Sequence, residues 1–435
     1  AASRRAMSTL ERGPGSSVTN SMAAIKPSSP AHYRRSGRRP APTSHRTRSA
    51  PTVAVLGGAG AMGRAAVFDL ARQGLHVRLL DADAEAARRI ARLYGEGLAD
   101  ISALAASDVG LLARSLEGAA VVVNAAPYRL NLAVMEAALT AGCHYVDLGG
   151  LFHTTRRQLR LHDRFRGRGL LAVLGMGSAP GIVNVLARAA VDRLRSAHAI
   201  RIYNGGSDHT RYGAPVAFGF SPATVLDEMT LRPVVFTRGR YRTVPPRSGG
   251  ENFAFEIGIQ RVHLSLHSEA ATLPQSFEAK GVRECAFKIA YDPELLRRLE
   301  LLIDLGLADR RPGPRGVAPR DVLLDCFRAL PPAPAFVDDR DSLAVVVEGS
   351  DERGEVVVRH DLTATPQRRP PLSAVARDTG FPPAIVARML IDGQIAERGA
   401  LPPELCVPVQ PFLTALAERG LTVQVSERRP ALGPR

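Results

Sequence analysis

The stretch Val53-Ala54-Val55-Leu56-Gly57-Gly58-Ala59-Gly60-Ala61-Met62-Gly63 restricts what this chain can become more than any other. A β-branched apolar run leads directly into Gly58-x-Gly60-x-x-Gly63, and an Ala-rich helical pattern follows it. Strand, turn and helix in that order make a dinucleotide-binding unit. The first glycine makes the tight turn, the second lets backbone approach a pyrophosphate, and the third lets helix pack on strand. The helix opening at Ala61 and Met62 offers unpaired N–H groups and a positive dipole end to phosphates. A lone motif of this kind carries little weight, but the rest of the unit is present. Helix residues Met62, Ala66, Phe68, Leu70 and Ala71 run to Gly74, which reads as a helix stop, and His76–Asp81 is a second strand. That strand ends in an acid 18 residues after Gly63. A carboxylate at Asp81 accepts from the 2′-hydroxyl of NAD and repels the 2′-phosphate of NADP. Ala82 follows, with no arginine to receive that phosphate, so NAD is expected over NADP. Asp83 is expected to cap the next helix.

At 435 residues the chain should hold about two or three domains. No apolar run approaches the roughly 20 residues that span a bilayer, so no membrane partner is expected and the location is read as cytoplasmic. Cys143, Cys285, Cys326 and Cys406 are scattered with no C-x-x-C pair, which suits buried thiols and neither a disulfide framework nor a zinc site. The net charge of +15 is unevenly placed: residues 1–50 carry nine Arg and Lys26 against Glu11, or +9, leaving +6 for the remainder. Basic residues that bind nucleic acid should cluster on a folded face, and no such cluster is visible. Nucleic acid is therefore not an expected partner.

Residues 1–50 are rich in Ser, Pro, Arg and Gly and are expected to be a disordered basic tail. The composition also describes an organellar transit peptide, and an overextended or fragmentary start is an equal alternative. Residues 51–176 alternate strand and helix. Strands are expected at 98–101, 119–124, 143–148 and 170–175, and helices at 84–94, 107–116, 130–141 and 154–168. The fold class is thus α/β: a Rossmann-type doubly wound parallel sheet, with a second α+β substrate domain over 177–365. That second domain is expected to hold strands in antiparallel style, a helix capped by Ser221-Pro222, another capped by Asp292-Pro293, and a hairpin of 343–348 with 356–360. Residues 366–425 add helices at 383–390 and 411–419 that dock back on the first domain. A homodimer is expected.

Several segments resemble the saccharopine dehydrogenase family, in the branch of saccharopine reductase and lysine 6-dehydrogenase. They are Val55–Gly63, Asn124-Ala125-Ala126-Pro127-Tyr128, His144–Gly150, Ala179-Pro180-Gly181-Ile182-Val183-Asn184, Tyr203-Asn204-Gly205-Gly206 and His267–Pro274. The resemblance covers roughly residues 52–425. It implies a metal-free, NAD(P)-dependent oxidoreductase acting on the C–N bond of an amino acid, with lysine or a related amine or imine as substrate. Two departures stand out. The arginine that saccharopine-forming members place after an aromatic-Ser stretch is absent from Phe220-Ser221-Pro222-Ala223, and no Leu-Pro follows Gly205-Gly206. A non-catalytic NAD-binding redox sensor on the same fold is the alternative; polar groups converging on the cleft would argue for the enzyme, a cleft plugged by side chains for the sensor.

Ligands of such sheets bind at the strand C-terminal ends. The expected cofactor residues are Gly58, Gly60, Ala61, Met62, Gly63, Asp81, Asp100, Ala125, Ala126 and Pro127. Asp100 either accepts from the adenine amino group or is a solvated loop acid. Tyr128 and Asp147 are the catalytic candidates. A phenol at Tyr128 can donate to a substrate nitrogen or carboxylate, or simply pack the domain interface. A partly buried carboxylate at Asp147 suits a general base, or merely fixes the Gly149-Gly150 turn. His153 is a weaker base candidate, and Arg129 and Arg211 are candidate carboxylate clamps or ordinary surface residues.

Overall fold

The computed structural model describes residues 50–94, 98–103, 108–314 and 316–429, the side chains of 98–103 excepted. The expected tail, apart from Ala50, and the Asp100 side chain lie outside the described residues. Strands β1 (Thr52–Leu56), β2 (His76–Asp81), β3 (Leu98–Ala103), β4 (Ala119–Asn124), β5 (His144–Asp147) and β6 (Leu171–Val173) form one sheet. Gly399–Leu401 adds a seventh strand beside β6, and the order is Gly399–Leu401, β6, β5, β4, β1, β2, β3. Every pairing in it is parallel. This is the doubly wound order, with the direction of winding reversing between β1 and β4.

Strand side chains alternate between faces, and β1 shows the consequence. Val53 and Val55 join a core shared with the second sheet, whereas Ala54 and Leu56 join a core under the helices Val109–Ser115 and Asn131–Ala141. Both faces are covered, as a parallel sheet requires.

The second sheet is mixed, correcting the antiparallel expectation. Its central strand β7 (Ser196–Asp208) pairs in parallel with Glu284–Ala290 and antiparallel with Asp339–Asp351. The expected hairpin is present as Asp339–Asp351 with Gly354–Ala364. Helix Ala374–Ile391 lies against both sheets. The sequence placed its start at Pro383 because proline favours a first helical turn, yet Pro382 and Pro383 sit inside it. Its real start is capped twice: Ser373 Oγ accepts from the Ala376 N–H, and the Asp339 carboxylate accepts from those of Ala374 and Val375. Gly380 lets this helix touch α1 (Ala61–Arg72); a Cβ there would stand 2.5 Å from the Met62 carbonyl oxygen.

The helix expected over 154–168 is broken into Leu151–Gln158, a 3-10 turn at Leu159–Leu161 and His162–Gly167. Cys143, Cys285 and Cys406 are buried as expected, but Cys326 is exposed. Among the described residues no helix is long and apolar enough to cross a membrane.

Candidate active site

The turn after β1 forms as its glycines demand. The Gly57 N–H donates to Leu80 O at 2.8 Å and the Gly60 N–H to Gly57 O at 3.1 Å, tying the loop to β2 and to itself. A Cβ on Gly63 would fall 2.0 Å from Gly57 O, so only glycine lets α1 start this close to the strand. A Cβ on Gly60 would meet only Gly57 O, at 3.3 Å, and Gly60, Ala61 and Met62 lie at or near the surface. Gly60 supplies no side-chain cap to α1, whose first N–H groups stay available to an anion. The loop therefore fits a dinucleotide pyrophosphate. Asp81 lies at the end of β2 as expected: Oδ2 accepts from the Ala59 N–H at 2.9 Å and Oδ1 from the Asp83 N–H at 3.0 Å. Asp83 caps the following helix through the Glu85 and Ala86 N–H groups.

Ala125, Ala126 and Pro127 leave β4 on the same rim. The Ala125 N–H donates to Leu56 O, and that of Ala126 to Asn124 Oδ1. Behind them lies a buried polar network centred on Asp147. Its carboxylate has no exposed surface. Oδ2 accepts from Asn131 Nδ2 (3.0 Å), Tyr145 Oη (2.8 Å) and Gln158 Nε2 (2.5 Å), and Oδ1 from the Gly149 and Gly175 N–H groups. Burial pushes the Asp147 pKa up while these bonds pull it back. Asp147 ends β5 as expected, and its sealed carboxylate with five donors matches the alternative that it fixes the Gly149-Gly150 turn. Gln158 and Asn131 carried no sequence signal of this duty.

Tyr128 turns the other way, toward helix Pro222–Thr230. Its hydroxyl donates to Asp227 Oδ2 at 2.7 Å, and burial with that carboxylate raises the phenol pKa. Arg129 donates to the same oxygen at 2.6 Å, Arg320 donates to Oδ1 at 2.6 Å, and Arg310 also donates to Oδ1. Three guanidinium groups thus surround one fully buried carboxylate. Arg320 is itself buried, its Nη1 has no partner, and burial lowers its pKa with help from the charges of Arg310 and Arg129. Arg129 and Arg310 are about half exposed. Arg320 Nη2 also donates to the Ala223 carbonyl oxygen at 2.7 Å. Arg320 thus reaches the Ala223 main chain from a distant helix. Arg211 and His153 are exposed.

Beside this cationic group sits an anionic one. Glu228 follows Asp227, is buried, and accepts from Tyr291 Oη at 2.6 Å. His267 Nδ1 bonds Glu269 Oε2 at 2.6 Å, and its ring stacks on Phe287 at 3.8 Å. Ser268 Oγ accepts from the Gly150 N–H at 3.3 Å, which fixes this segment against the β5 rim. Sequence reasoning missed Asp227, Glu228, Arg310 and Arg320. One signal was available: Val225-Leu226-Asp227-Glu228-Met229 is buried throughout, so two acids share an inward stretch with apolar residues.

A doubly wound sheet with a fitted nucleotide loop, facing a second domain that offers converging polar groups, defines a dinucleotide-dependent oxidoreductase. Residues 53–173 match the saccharopine dehydrogenase NADP binding domain and residues 177–421 the saccharopine dehydrogenase C-terminal domain. The chain belongs to the saccharopine dehydrogenase family. Carboxynorspermidine synthase of Vibrio cholerae is 26% identical over 333 residues, covering 71% of this chain and 78% of the relative. Carboxyaminopropylagmatine dehydrogenase of Synechocystis sp. is 24% identical over 321 residues, covering 70% and 79%. The fold is that of saccharopine dehydrogenase (L-Glu forming) from Saccharomyces cerevisiae, with a TM-score of 0.67 at 15% identity, covering 87% of this chain and 100% of that one. The cofactor class is a nicotinamide dinucleotide.

Proposed function

We propose that the chain reduces a C=N bond, or in reverse oxidises a C–N bond, in a carboxylate-bearing amine of the polyamine type, with NAD as cofactor. The arginine array around Asp227 carries this reading. Arginine binds carboxylate bidentately, and three arginines on one aspartate leave positive charge uncompensated beside Tyr128. A substrate carboxylate would share the donor set that Asp227 engages. The names of the two relatives both describe a carboxylated compound of this chemical kind, which favours it over lysine.

Gly57–Gly63 and Asp81 would hold the nicotinamide cofactor, which when bound would supply or take the hydride. The chain's own residues do the rest: Tyr128 and the arginines hold the carboxylate end, and the network on Asp147 keeps the 125–127 and 149–150 loops in register. Asp147 is thereby assigned to holding the turn. Preference for NAD rests on the partly exposed Asp81 carboxylate, which repels a 2′-phosphate.

The test is oxidation of carboxynorspermidine, norspermidine, saccharopine and lysine by purified protein with NAD or NADP. The carboxylated polyamine should be turned over best and its decarboxylated counterpart should fail. Equal use of norspermidine would remove the carboxylate clamp, and a preference for lysine would restore the amino-acid reading.

A further inference from the structure

Asp147 is sealed, so the proton that accompanies hydride transfer needs another carrier. Three buried ionisable groups outside the arginine array, Glu228, His267 and Glu269, lie together. His267 bonds Glu269 through Nδ1 at 2.6 Å, and both side chains are buried. Among the described residues its Nε2 makes no hydrogen bond, and Glu228 Oε1 stands 3.9 Å away. The ring is clamped flat on Phe287, with planes 9° apart. It is therefore oriented on one edge, with Nε2 unbonded on the other.

Two contacts of its chain neighbours place the His267 segment against the first domain. Ser268, next in the chain, is bonded to the Gly150 N–H and to Thr155 of the first domain. Leu266, just before it, shares an apolar cluster with Leu151, Phe152 and Tyr128. His267 thus lies between the β5 rim and the arginine array.

We propose that His267 is the proton-transferring residue of the reaction, acting through Nε2 on the substrate nitrogen, with Glu269 as its positioning partner. The proposal rests on the functional reading above. In the reducing direction the imine nitrogen takes the Nε2 proton and becomes an iminium. A hydride from the reduced nicotinamide adds to the carbon, and the C=N π pair becomes the nitrogen lone pair. The nicotinamide is oxidised, and the imidazole regains its proton from solvent. An orienting carboxylate on Nδ1 fixes the tautomer and stabilises the charged ring.

The surrounding charges suit the role. Burial alone would lower the His267 pKa, but Glu269, by charge and hydrogen bond, and Glu228, by charge, raise it above the ordinary value. Helix Pro222–Thr230 contributes Glu228, with Asp227 beside it, and Tyr291 bonds Glu228; Cys285 on the strand carrying Phe287 lies near Glu269. A raised pKa favours the protonated histidine that an imine reduction draws on.

The experiment compares pH profiles of kcat for imine reduction in wild type, His267→Gln and Glu269→Gln, with NADH affinity measured alongside. Wild type should lose rate as pH rises through the histidine pKa. His267→Gln should lose about 10²- to 10⁴-fold in kcat with NADH affinity unchanged, the usual span for a lost acid–base group. Glu269→Gln should shift the falling limb to lower pH, recovering activity in acid, which a merely structural role would not do. A His267→Gln rate within about tenfold of wild type, below the usual acid–base contribution, overturns the proposal and leaves the functional reading standing. So does an unmoved limb in Glu269→Gln, which decides alone if His267→Gln does not fold. A wild-type protein that turns over no imine or amine defeats both.

Discussion

On the nucleotide side of the cleft, Gly57–Gly63, Asp81 and Ala125–Pro127 stand at the ends of three neighbouring parallel strands, β1, β2 and β4. Their fitness lies mostly in backbone: an open N-terminus on α1, and a Gly63 that no larger residue could replace. The opposite side is assembled from Tyr128 and Arg129, Asp227 and Glu228, His267 and Glu269, Arg310, and Arg320, in loops and helices far apart in the chain. Its fitness lies in charge. One wall positions a constant ligand with main-chain groups; the other sets two clusters of opposite sign side by side, where a substrate can be selected. Function that varies within a fold is expected on the second kind of wall.

The comparison breaks most sharply at Asp227. Asp227→Ala leaves three arginines without their carboxylate, and removing one partner of a buried charge pair costs about 3–5 kcal/mol. Denaturant unfolding should show that loss, and turnover should vanish while NADH still binds to whatever remains folded. Undiminished turnover would show that the array does not organise the substrate.

A smaller effect is expected on the other wall. Asp81→Ala removes a charged acceptor worth about 1.5–3 kcal/mol per hydrogen bond. NAD affinity should fall roughly tenfold or more on that basis, and discrimination against NADP should relax. Preference for carboxylated substrates should not move, because the two walls share no charged group. Titrating both dinucleotides by fluorescence checks it; unchanged affinity for each would remove Asp81 from the site.

The smallest effect concerns helix Ala374–Ile391, which supports both walls. Its Asp378 is fully buried beside Asp341 of the second sheet, and burial together with that neighbour holds its pKa well above the usual carboxylate range. A carboxyl whose folded pKa is raised keeps its full contribution below the unfolded pKa and loses it as pH rises through the folded one. Wild-type Tm should therefore fall from acid toward neutral and alkaline pH. Asp378→Asn should flatten that fall and be the more stable protein at pH 8. A parallel fall in both would show that the pair is not what titrates.

The sequence made the N-terminal half legible because its signals are local. β2 and β4, the glycine loop and the cap at Asp83 each depend on residues a few positions apart, as do the caps at Ser221 and Asp292 in the second domain. It misplaced the start of the helix at 374 because the decisive acceptor, Asp339, comes from another sheet. It put a base at Asp147 because a strand-end acid before two glycines has the right address. Only packing shows Asn131, Tyr145 and Gln158 closing over it.

By itself the sequence determined the dinucleotide turn, the parallel sheet behind it and the family. Steric limits on a tight turn and the alternation of a strand are written in neighbouring residues. The tertiary structure decided where charge lies unpaired. Arg320 joins Asp227 from a distant helix, and Leu266, next to His267 in the chain, packs with Tyr128. Coulomb energies depend on distances in space and on burial, and chain order fixes neither.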